Sequence, residues 1–68
     1  MQRYLLVSKT GSLRVEISRQ TDSQACKLAE ERSINSLDYE VYRFDQRTDS
    51  GTPWRKIAET IDGKIKMV

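Results

Sequence analysis

The run Tyr39-Glu40-Val41-Tyr42-Arg43-Phe44 constrains the fold more than any other stretch of this chain. Aromatic and β-branched residues dominate it, and each of its two alternating faces carries apolar side chains, the pattern of a central β-strand. A helix from the same chain can cover one face, but 68 residues leave little with which to cover the other. The second face is therefore expected to meet solvent or a partner. On area, Tyr42 and Phe44 are the better inward pair, because two large side chains have more to bury than Val41 beside Arg43.

A chain of this length is expected to form a single small α+β domain, near the lower limit at which one core holds a fold unaided. With 37% hydrophobic and 32% charged residues it reads as globular, and no apolar run approaches the roughly 20 residues of a membrane span. The apolar stretch near the start, Tyr4 to Val7, is too short for a signal peptide and runs into a strand pattern, so the chain reads as intact and cytoplasmic. A single cysteine, Cys26, fits a reducing compartment and leaves folding to packing alone. Twelve basic against ten acidic residues, in no long same-sign run, describe a mixed surface rather than a dedicated DNA binder.

In chain order, Tyr4 to Ser8 and the alternating Leu13 to Ser18 flank a turn at Gly11 and predict a hairpin. Thr21 with Gln24 three residues on predicts a capping box, and Ala25, Leu28 and Ala29 form the inward stripe of the helix that follows. Its pattern fades after Arg32, and Asn35 suits a left-handed exit. The aromatic strand comes next, then a turn over Thr48 to Gly51. Trp54 to Ile61 supports two readings. As a helix it would start at Pro53 with a Trp54, Ile57, Ala58 and Ile61 stripe. As a strand it would turn at Asp62-Gly63, type I′, into Lys64 to Val68, with Glu59 facing Lys66 and Thr60 facing Ile65. Asp-Gly followed by an alternating tail is the stronger signal, although as a regular strand it sets Trp54 and Ala58 opposite Ile57 and Ile61. The expected fold is an antiparallel sheet of four to five strands with one helix on one face, in the order ββαβββ.

No histidine is present, which removes a His general base, a Ser-His-Asp triad, a Cys-His pair and any His-containing zinc site. Cys26 falls at the edge of the helix's inward stripe and reads as a packing residue. Gly11, Gly51 and Gly63 are isolated in turns and form no phosphate-cradling loop. The expectation is a non-enzymatic protein with no catalytic residue, metal or cofactor.

What remains is surface recognition. Tyr39, Arg43 and Arg47 share one face by period two, and Arg55 and Lys56 come near them if the strand reading holds. These five are the candidate partner-binding residues, suited to a protein anchor or, alternatively, to nucleic acid. The arrangement, through Arg43-Phe44-Asp45, Trp54-Arg55-Lys56-Ile57-Ala58-Glu59 and Asp62-Gly63-Lys64, resembles small phage-encoded proteins with a half-covered sheet, some type I anti-CRISPR proteins among them. The resemblance implies a non-enzymatic inhibitor or adaptor that binds a host protein or nucleoprotein complex through a sheet face or edge. No functional residue carries over from it. A homodimer through the bare face is a further expectation.

Overall fold

A computed structural model describes residues 1–33, 37–46 and 51–68. The elements are β1 (Gln2–Ser8), β2 (Arg14–Arg19), α1 (Asp22–Ser33), β3 (Tyr39–Phe44), β4 (Trp54–Ile61) and β5 (Lys64–Met67). The strands form one antiparallel sheet in the order β2-β1-β3-β4-β5. Among the described residues no helix is long and apolar enough to cross a membrane.

Trp54 to Ile61 is a strand, and the turn after it has the predicted geometry. Asp62 and Gly63 have φ of 52° and 81°, as the two central residues of a type I′ turn require, and Glu59 faces Lys66 while Thr60 faces Ile65. The uneven alternation of β4 has a local cause. Val41 pairs with Ala58 but Tyr42 pairs with Lys56, so Ile57 is an extra residue, a β-bulge. The bulge resets the phase of the strand. Ile57 and Ala58 both enter the core, and Trp54 and Lys56 go to the other side of the sheet.

The helix begins as its sequence dictates, with one change. The Gln24 N–H donates to Thr21 Oγ1 at 3.2 Å, the predicted cap, but the Gln24 side chain accepts from the Gln20 N–H at 3.0 Å rather than from Thr21. The expected exit at Asn35 lies outside the described residues. Ala25, Cys26 and Ala29 join Tyr4, Leu6, Tyr39, Val41, Ile57 and Ala58 in one core cluster, with Ile17, Leu28, Leu37 and Ile65 packed against it. Small side chains on the helix let its backbone come close to the sheet.

Cross-strand register sorts the sheet into rows. Facing the helix are Ile17-Tyr4-Arg43-Arg55, Val15-Leu6-Val41-Ala58-Met67 and Ser8-Tyr39-Thr60-Ile65. On the open face are Ser18-Arg3-Phe44-Trp54, Glu16-Leu5-Tyr42-Lys56 and Arg14-Val7-Glu40-Glu59-Lys66. The area argument for Tyr42 and Phe44 as the inward pair is therefore corrected: Tyr39 and Val41 face the helix. Burial is decided by whole rows, and Tyr4, Leu6 and Ala58, all fully buried, put their rows inside. The charge of Arg43 does not oppose this, because its Nη1 lies 2.8 Å from Asp22 Oδ2 at the start of the helix.

Asp38 ties the central strand to the last hairpin. Its carboxylate accepts from the Gly63 N–H at 3.2 Å, the Asp62 N–H at 3.2 Å and the Thr60 hydroxyl at 3.0 Å. These bonds, that from Gly63 foremost, hold its carboxyl below the usual Asp value. With the folded pKa depressed, the contribution is complete above the unfolded value of about 3.9 and is lost as pH falls through the folded one. Urea midpoints taken from pH 7 down to pH 2 are expected to drop on the acid side, and Asp38→Asn to lie lower at pH 7 and flatten that limb. An Asp38→Asn limb as steep as that of the parent protein would show that the acid sensitivity arises elsewhere.

Candidate functional site

The open face is built from the middle of the sheet outward. Leu5 of β1, at the centre, is buried, and Val7, Tyr42, Phe44 and Trp54 around it are partly buried. The Phe44 and Trp54 rings meet edge to face, with centroids 5.4 Å apart and an interplanar angle of 79°. The Arg3 guanidinium lies 4.6 Å above the Phe44 ring centroid and 5.8 Å from that of Trp54, and pairs with Glu16. Arginine and aromatics together make one contiguous platform.

Beside it lies a second group of charges. Lys56 Nζ is 2.8 Å from Glu40 Oε2 and 3.4 Å from Glu59 Oε2, while Lys9 Nζ is 2.7 Å from Glu59 Oε1. The hydrogen bond to Glu40 raises the Lys56 pKa, and that from Lys9 lowers that of Glu59. On the same face is a hollow of about 370 Å³ walled by Leu5, Val7, Tyr42 and Trp54, with Gly11, Arg14 and Thr52 lining it as well. Such a surface can seat a side chain.

No protein-family model, curated protein or solved structure matches the chain.

The four described candidate residues read from the sequence, Tyr39, Arg43, Arg55 and Lys56, do not share one face of the sheet. Tyr39, placed there on the uncovered face, is 4% exposed and sits under the helix, where its N–H donates to Thr60 Oγ1 at 2.8 Å. Arg43 shares that covered side and is paired with Asp22. Arg55 is opposite Arg43 and exposed, so the structure does bring these two together, but at the margin of the helix side. Of the four that are described, Lys56 alone belongs to the open face, already engaged by Glu40 and Glu59. Arg47 lies outside the described residues. The residues missed are Arg3, Arg14, Phe44 and Trp54. Their signal was the register of β1 against β3, which puts Arg3 beside Phe44, and the bulge, which brings Trp54 to the same face.

Cys26 is buried, and burial first, then the carboxylates of Asp22 and Glu30, push its thiol pKa up. That is the opposite of thiolate activation.

Proposed function

We propose that this chain is a small, non-enzymatic binding protein that acts by occupying the surface of a larger protein or nucleoprotein complex with its open sheet face. The observation that carries the reading is the platform of Phe44, Trp54 and Arg3 beside the hollow under Tyr42. Trp, Tyr and Arg dominate binding hot spots because they offer large, stiff contact area with a polar end. The absent histidine and the protonated, buried thiol of Cys26 support a role without catalysis. The layout resemblance to phage-encoded proteins extends the reading to inhibition of a host complex in the host cytoplasm.

Nucleic acid is the second reading, since exposed aromatics beside arginine can stack bases. The charges on this face disfavour it. Glu16, Glu40 and Glu59 accompany its cations and would repel a phosphate backbone.

The test is capture from a candidate host lysate with two variants, each checked for folding by circular dichroism. A partner held by the parent protein is expected to stay with Arg55→Ala, on the helix side, and to be weakened at least about thirtyfold by Trp54→Ala. Retention by Trp54→Ala, together with loss on Arg55→Ala, would move the binding surface to the other side of the sheet. In a parallel salt series, tight binding of mixed-sequence DNA or RNA that weakens steeply with salt would favour the second reading instead.

A further inference from the structure

The hollow on the open face has one charged side chain in its lining, and among the described residues nothing answers that charge. Leu5, Val7, Tyr42 and Trp54 give it apolar walls, and Gly11, Thr52 and Arg14 of β2 complete it. Register sets Arg14 beside Val7, with Glu16 and Glu40 in the adjoining positions of the same face. Both are engaged elsewhere: Glu16 with Arg3, and Glu40 with Lys56 and with the Tyr42 hydroxyl at 3.4 Å. Arg14 has no ion pair or hydrogen bond from its side chain among the described residues. An apolar hollow of about 370 Å³ lies at the small end of the roughly 300–1,000 Å³ of ligand pockets. It has room for one large side chain and the group next to it.

We propose that this hollow is an anchor site for a partner protein's aromatic or large aliphatic side chain adjoining an Asp or Glu, whose carboxylate pairs with Arg14. The inference rests on the open face being the binding face. Charge complementarity selects the occupant: the guanidinium, with five donors and no acceptor of its own, matches a carboxylate in a two-pronged geometry, and the walls require an apolar neighbour. A lysine next to the anchor would meet Arg14 as a like charge.

Titrating the ¹⁵N-labelled full chain with blocked hexapeptides tests this. Three share a central phenylalanine flanked by aspartates, by serines or by lysines, and a fourth has aspartates around an alanine. The aspartate-flanked phenylalanine peptide is expected to bind about tenfold more tightly than the lysine-flanked one. Its shifts are expected at the amides of Leu5, Val7 and Arg14 and at the Trp54 indole. Arg14→Glu, a change at an exposed position, is expected to reverse the order, and Arg14→Gln to abolish the preference. Equal or inverted ranking with shifts still at the hollow would overturn the acidic-anchor proposal while leaving the open face as the binding face. Absence of shifts at the hollow with all four peptides would overturn it too, whereas the open-face reading falls only with the Trp54→Ala and Arg55→Ala capture result.

Discussion

Tyr4→Ala is expected to cost about 3–5 kcal/mol, the range for deleting a buried aromatic side chain. A single core in a chain of this size supplies roughly 3–5 kcal/mol of stability, so most molecules of the variant are expected to be unfolded or close to it at 25 °C. Tyr4 is fully buried, lies between Ile17 and Arg43 in its row, and donates from its hydroxyl to Asp22 Oδ1 at 2.6 Å. The same carboxylate holds Arg43. Removing the ring thus opens a cavity where strand, helix start and ion pair meet. Tyr4→Phe separates the two parts of the effect: it keeps the ring and loses only the hydrogen bond to a charged group, about 1.5–3 kcal/mol. Burial, then the bond to Asp22, raises the Tyr4 pKa, so its contribution is complete below the phenol's usual value of about 10 and is lost as pH rises beyond it. Urea unfolding followed by circular dichroism reads both variants. A cooperative Tyr4→Ala transition with an unshifted midpoint would show that the core does not depend on this residue.

Thr60→Val is the sharper experiment, because it changes one atom type at constant shape. Thr60 is fully buried; its Oγ1 accepts from the Tyr39 N–H and donates to Asp38 Oδ1. Valine leaves a buried N–H without an acceptor and takes one donor from Asp38. The expected loss is about 1–3 kcal/mol, the cost of an unsatisfied buried group. Thr60→Ser restores both bonds and gives up only a methyl group, so it is expected to lose less, about 1 kcal/mol. Amide exchange at Tyr39 should quicken in the valine variant and stay slow in the serine one. A Thr60→Val protein within about 0.5 kcal/mol of the parent would mean that the Tyr39 amide finds another acceptor.

Local chemistry made much of this fold readable. Asp62-Gly63 could form only a narrow set of turns, and the turn then set the register of Glu59 and Thr60 without reference to the rest of the molecule. Thr21 marked the helix start for the same reason: its hydroxyl answers a neighbouring N–H. The side of β3 that faces the helix was not readable, since Tyr39 with Val41 and Tyr42 with Phe44 compete almost evenly within the strand. The decision lies with Tyr4, Leu6 and Ala58 in neighbouring strands, and with Asp22, which makes a covered Arg43 acceptable. The bulge at Ile57 was hidden for a related reason, as an extra residue leaves no mark in composition and only disturbs the period. Both failures displaced the candidate site, moving it from Tyr39 and Arg43 to Trp54 and Arg3.

The two rims of the sheet are not equivalent. At β5, Glu30 reaches from the helix and its Oε2 accepts the Ile65 N–H at 3.0 Å, on a strand of four residues that carries Lys64 and Lys66. At β2, six residues pair with β1 alone among the described strands. Glu30 thus occupies one backbone donor of the β5 rim, and strand addition is disfavoured there relative to β2. Two copies joined along β2 would present the Glu30-tied rim at each extremity, which disfavours further addition of strands beyond a pair.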